Sequence, residues 1–293
     1  MHMHKLIDRE PKRIFTFGCS FTKYLWGTWA NIIGAEFPNA EFYNLGRASV
    51  GNKYIHNIVM QADNIYNFNK SDLVIIQWTN PYREDRYLPE DREDWLLSGN
   101  IYFQNHYPED WVEKWFDMYG AYVHDFALIK SVHGYLNNKT RLHMLKMIDF
   151  QHPSTYKELE DKINGLYELY KESLNEIPPS FFKVLWKNKL DAKFYSDRKL
   201  VHPKFKDGHP NPMEHHYYLK QTFRYNWRNE TDKKVSEAQI KWIKLMQDAI
   251  EKGYVTDQSN IDGFRFNEYL KANQVDSKHF MRGSNDIDPR IHR

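Results

Sequence analysis

Several short stretches of this 293-residue chain place residues of catalytic type where regular structure breaks. Ser20 stands in Gly18-Cys19-Ser20, at the abrupt end of the β-rich run Arg13-Ile14-Phe15-Thr16-Phe17. Gly51 and Asn80 fall in or just after loops that follow two more such runs, and His209 shares Lys206-Asp207-Gly208-His209-Pro210 with Asp207. A serine hydroxyl is a weak nucleophile until a base takes its proton and donors meet the oxyanion that forms on the attacked carbon. These positions supply each part. Ser20 attacks, His209 is the base and Asp207 holds the imidazole in the right tautomer. The Ser20 N–H, the Gly51 N–H and the Asn80 amide receive the negative oxygen. Gly51 suits that role because a residue without a side chain lets substrate approach its backbone.

The elements that must position these residues follow from the apolar pattern. After the first strand, Leu25, Trp26, Trp29, Ala30 and Ile33 recur at helical intervals and predict a helix over 22–33. Glu41-Phe42-Tyr43-Asn44-Leu45 predicts a second strand, and residues 53–65 a second helix. Leu73-Val74-Ile75-Ile76-Gln77 reads as a strand buried on both faces, which requires a parallel sheet covered by helices on either side. Residues 81–138, rich in aromatic and charged groups, read as an insertion ending in a helix. A fourth strand is expected over 142–148 and helices over 155–174, 213–223 and 236–252. The last of these should place Ile240, Trp242, Ile243, Leu245 and Met246 near one side. Ligands of such sheets bind at the carboxyl ends of the strands, where Ser20, Gly51 and Asn80 fall.

Phe17-Gly18-Cys19-Ser20-Phe21-Thr22 resembles the first block of the SGNH (GDSL-like) hydrolases, with Gly-Cys-Ser in place of the usual Gly-Asp-Ser. Asn44 to Asn52 is similar to the second block, with Gly51 at the oxyanion glycine, and Gln77-Trp78-Thr79-Asn80 to the third, with Asn80 at the oxyanion asparagine. Residues 206–212 resemble the last block, which carries the catalytic Asp and His. The resemblance spans roughly residues 13–225 in family order. It implies a three-layer α/β/α, flavodoxin-like fold with a central parallel sheet, an aromatic-rich helical insertion at about 81–138 and a C-terminal helical extension. Residues 1–230 would form the hydrolase-like unit and 231–293 a helix and polar tail packed on it or extending from it. Two departures stand out: Asp207 and His209 are separated by one residue instead of two, and Trp78 occupies the place of a glycine. An indole there would narrow the mouth or stack on a sugar, and Arg83 and Arg86 offer forks for an anionic group.

Each motif also has a plainer reading. Ser20 could cap the helix after it, Gly51 serve a turn and Asn80-Pro81 start one. Cys19, the lone cysteine, suits a small apolar core position better than a nucleophile. His202 is the substitute base. His202, His209, His215 and His216 cluster in sequence without the partners that complete a metal shell. No metal or cofactor is expected.

The formal charge of +2 supplies no field for nucleic acid or an anionic membrane. The mean hydropathy of -0.79 and the absence of a long apolar run argue against a membrane span. The charged N-terminus lacks a secretory apolar stretch, which points to the cytoplasm. The expected partner is a small-molecule or glycan ester. The leading expectation is a serine esterase acting on O-acyl, above all O-acetyl, groups, with a carbohydrate as carrier. An acyltransferase acting on glycans with the same residues, and a non-catalytic glycan-binding or assembly protein, are the alternatives.

Overall fold

The computed structural model describes residues 4–88, 96–101, 107–150, 157–187, 208–254, 263–273 and 281–292. In chain order the elements are β1 (His4–Lys5), β2 (Arg13–Phe17), α1 (Trp29–Glu36), β3 (Glu41–Asn44), α2 (Asn52–Tyr66), β4 (Asp72–Trp78), β5 (Arg83–Tyr87) and β6 (Leu96–Asn100). There follow α3 (Glu109–Trp115), α4 (Met118–Leu136), β7 (Arg141–Lys146), α5 (Lys157–Leu174), α6 (Pro212–Thr222), β8 (Phe223–Arg224), α7 (Asn229–Glu251) and α8 (Gly263–Ala272).

The main sheet is parallel, in the order β3-β2-β4-β7. Counting only its own strands along the chain, that order is 2-1-3-4, as in flavodoxin-like doubly wound sheets. Parallel crossovers are right-handed, so reversing direction changes the face that the helix covers. The connection from β2 to β3 runs one way and carries α1. The connection from β3 back past β2 to β4, and the next to β7, run the other way and carry α2 and α4. The packing agrees: α1 touches α6 and α7, whereas α2 touches α4 and α4 touches α5. All seven residues of β4 are buried, as a strand between two helical layers must be.

Both sheet edges are covered. Residues 281–292 lie along β3, with the Asn285 N–H donating to the Phe42 carbonyl at 2.6 Å and the Asn44 N–H to Ser284 Oγ at 2.9 Å. The Arg282 guanidinium donates to the carbonyls of Gly34, Phe37 and Ala40 at 2.5–2.8 Å. Residues 281–292 thus cover the β3 edge and shield its groups from pairing with another chain. Across the sheet, His143 on β7 meets the Leu6 carbonyl at 2.6 Å beside the short parallel β1–β8 pair.

Three expectations change. The helix after β2 starts at Trp29, not Thr22, because Thr28 and Asn31 form a capping box there. Leu25 and Trp26 belong to a second apolar cluster with Trp242, Met246 and Phe266, so their helical spacing recorded two cores. Among the described residues of 81–138 the β5–β6 hairpin and α3 are the additions, whereas α4 belongs to the helical layer, burying Tyr122, Phe126, Ile129, Val132 and Leu136. On α7 the buried stripe is Val235, Ala238, Trp242, Met246 and Ala249, while Ile240 is 56% exposed. At about 100° per residue, Ile240 lies opposite Trp242.

Candidate active site

The loop after β2 is shaped by Gly18, whose φ of +152° is a conformation that L side chains rarely adopt. A Cβ there would lie 2.1 Å from Thr22 Oγ1 and 3.0 Å from the Gln77 carbonyl oxygen. The turn that follows is closed by the Thr22 and Lys23 N–H groups, both donating to the Cys19 carbonyl at 2.9 and 3.2 Å. It directs successive side chains apart. Cys19 is fully buried with its Sγ 3.8 Å from Met147 Sδ, which leaves it a core residue. Ser20, 4% exposed, has its Oγ 2.9 Å from His209 Nε2. Ser20 caps no helix, since α1 begins nine residues later.

His209 is framed by the residues that follow the serine. The Tyr24 ring stacks on the imidazole at 3.7 Å and 17°, and Phe21 meets it edge-on at 5.6 Å. Trp26 Nε1–H donates to the Pro210 carbonyl at 2.8 Å. Behind His209, α6 opens with Pro212 in its first turn and a reciprocal capping box between Asn211 and Glu214, at 2.8 and 2.9 Å. The serine and the imidazole therefore share one scaffold, the loop over 20–26. The signal was present in the sequence as Phe21, Tyr24 and Trp26, although helical periodicity concealed it. Asp207 and the substitute base His202 lie outside the described residues.

The oxyanion candidates divide. Gly51 N–H donates to Asp85 Oδ1 at 2.8 Å, and the Tyr54 N–H to Asp85 Oδ2 at 2.9 Å. The expectation that the Gly51 N–H faces substrate is thus corrected: a carboxylate from the β5–β6 hairpin occupies the N-terminus of α2, where donors and helix dipole favour an anion. Asn80 is the turn former that Asn-Pro suggested, its side-chain oxygen accepting the Tyr82 N–H at 2.8 Å. Its amide NH2 has no protein partner among the described residues.

Trp78 as a substrate wall is also corrected. It closes a strand covered on both faces and has no exposed surface. Arg83 donates to the Val50 carbonyl at 3.0 Å and braces the Gly51 loop, while Arg86 pairs with Glu84 at 3.3 Å and lies 4.7 Å from the Trp111 ring centre. His215 and His216 are buried on α6, and burial holds His216 down to about 4. Among the described residues no group of three or more His, Cys, Asp or Glu side chains is placed to hold a metal ion. Nor is any described helix long and apolar enough to cross a membrane.

Beneath the Gly51 loop, Asn52 ties α2 to the end of β4. Its side chain accepts the Thr79 N–H at 2.8 Å, and donates to the Thr79 carbonyl at 3.1 Å and to Asp125 Oδ2 at 2.6 Å. Desolvation is the largest cause raising both buried carboxyls, Asp85 to about 6 and Asp125 to about 7. A carboxyl raised in the folded state binds more protons folded than unfolded between about pH 4 and its raised value, so it costs stability as pH climbs through that window. His143 and His216, held down to about 4 chiefly by burial, act with opposite sign: stability is lost as pH falls from about 6.5 toward 4. Asp125→Asn removes one carboxyl at nearly constant shape. Its stability relative to wild type should rise by ~2–4 kcal/mol between pH 5 and pH 8, read from urea midpoints. A difference that stays constant with pH would show that Asp125 does not titrate there.

No protein-family profile matches the chain, and no curated protein matches it. Solved structures similar to it include an acetylxylan esterase, Axe2, from Geobacillus stearothermophilus, at TM-score 0.39 and 11% identity over 78% of this chain and 100% of that one. Another is a member of the lipolytic G-D-S-L family from Veillonella parvula, at TM-score 0.33 and 14% identity over 71% and 94% of the two chains.

Proposed function

We propose that this protein is a serine ester hydrolase of the SGNH type, with Ser20 as nucleophile and His209 as general base. The observation that carries the proposal is the 2.9 Å approach of Ser20 Oγ to His209 Nε2 by residues 189 positions apart. A neutral imidazole at that distance can take the hydroxyl proton as Oγ bonds to an acyl carbon. The developing oxyanion is met by the Ser20 N–H and the Asn80 amide. As the tetrahedral intermediate collapses, the imidazolium protonates the departing alcohol and leaves an acyl group on Ser20. Water, deprotonated by His209, then releases the acid and restores the hydroxyl. Asp207 is assigned to the imidazole's orientation. The substrate is an O-acyl ester, with O-acetyl on a carbohydrate as the first class to try.

The test joins hydrolysis of p-nitrophenyl acetate to labelling by a fluorophosphonate. The expected result is release of p-nitrophenol and one label, mapped to Ser20 and absent in Ser20→Ala. Neither label nor turnover with acetyl, butyryl or longer esters would overturn the proposal. Products formed with free sugar present separate hydrolysis from transfer, since an acylated sugar in place of free acid would make the protein an acyltransferase.

A further inference from the structure

Beyond Asn80 the chain enters the β5–β6 hairpin, and between that hairpin, α3 and the start of α4 lies a cavity of about 230 Å³. Pro81 and Arg83, one and three residues past Asn80, form part of its wall, which sets it at the carboxyl end of β4. We infer that this cavity seats one neutral, polyhydroxylated ring, the sugar residue that carries the ester. The inference rests on the esterase reading and names the substrate class of that site.

Its size is below the ~300–1,000 Å³ typical of drug-sized ligand sites, which suits one ring and not an oligomer. Charged and imidazole side chains make up more than half of its lining, which argues against an acyl chain. Yet the cations are already engaged. Lys53 Nζ lies 2.8 Å from both oxygens of Glu84, Arg86 pairs with the same carboxylate at 3.3 Å, and Arg83 is on the Val50 carbonyl. An anionic ligand would have to break those pairs. What remains is hydrogen-bonding capacity beside apolar faces, which a ring of hydroxyls over C–H groups matches.

The apolar faces belong to α3. Trp111 is held by Arg86 over its ring and by Tyr107 at 5.0 Å, whereas Trp115 leaves 65% of its surface exposed at the rim. Amphipathic ligands gain from such surface, with one face apolar and the edge hydrogen-bonded. At the inner wall Asp125, 6% exposed, has one oxygen anchored by Asn52. Trp111, Trp115, Glu84 and Asp125 are thus the specificity residues of this subsite.

Two measurements test it. The first is the ratio of kcat/KM on methyl 6-O-acetyl-β-D-glucopyranoside to that on p-nitrophenyl acetate, in wild type and Trp115→Ala. Because Trp115 is so exposed, alanine there spares the core. The ratio should fall about tenfold, chiefly through KM on the acetylated sugar. A ratio that holds, whether both activities stay or fall together, overturns the subsite. The second is turnover-free: Ser20→Ala is titrated with methyl β-D-glucopyranoside and followed by ligand-observed NMR, with Ser20→Ala/Trp115→Ala as comparison. Binding that weakens in the double variant supports the subsite. Binding without any ester hydrolysis by wild type would sink the esterase reading alone, and hydrolysis without binding would sink the subsite alone.

Discussion

Replacing His209 with alanine is expected to cut turnover of p-nitrophenyl acetate by about 10⁴–10⁶, with the thermal midpoint little changed. Among the described residues the hydroxyl of Ser20 has no base in contact comparable to the imidazole 2.9 Å away, and its neighbour Cys19 is buried against Met147. Removing that base leaves a hydroxyl with its ordinary high pKa, so attack slows in proportion to the lost proton transfer. Because nucleophile and base act as one unit, Ser20→Ala/His209→Ala should be no slower than either single variant. Fluorophosphonate labelling of Ser20 should slow in the same variant, since it needs the same deprotonation. A His209→Ala protein within tenfold of wild type would show that another group is the base. His202 would then be the next substitution to make.

The second large effect is on folding. Gly18→Ala should destabilise the protein by ~3 kcal/mol or more, enough to lower the thermal midpoint by about 6–12 °C in a chain of this size. The added methyl would meet Thr22 Oγ1 at 2.1 Å and the Gln77 backbone oxygen at 3.0 Å, at a φ of +152° that alanine itself disfavours. Thr22 cannot simply rotate away, because its hydroxyl donates to Gln77 Oε1 at 2.9 Å and its carbonyl accepts from Thr28 Oγ1 and Asn44 Nδ2. The same loop carries Ser20 and frames His209, so activity should fall further than the folded fraction does. Near-normal stability in Gly18→Ala would mean that the loop readily takes another path. The glycine would then not be what shapes the serine's turn.

The two effects differ in how far ahead of the structure they were legible. His209 was named from its neighbours in sequence and from the need of Ser20 for a base, and the fold brings the pair together. The severity at Gly18 needed coordinates, because a glycine two residues before a candidate nucleophile gives no hint of which atoms crowd it. Trp78 shows the same limit. Its place in the third motif suggested a wall of the mouth, but its burial follows from helices on both faces of β4.

What the sequence determined by itself is the layer logic and the choice of Ser20 and His209 as a candidate pair. The β-rich run at 13–17 implies a strand and the continuous apolar run at 73–77 a strand buried on both faces, and breaks at their carboxyl ends mark where chemistry can sit. Both signals are local, written within a few residues. The tertiary structure decided which donors remain for substrate. Asp85 reaches the Gly51 N–H from 34 positions away, Tyr24 stacks on an imidazole 185 positions along the chain, and the tail's Arg282 closes on carbonyls beside β3. Periodicity records how deeply a residue is buried. The partner that a buried polar group finds depends on loops meeting across the sheet, and no window of neighbouring residues contains that.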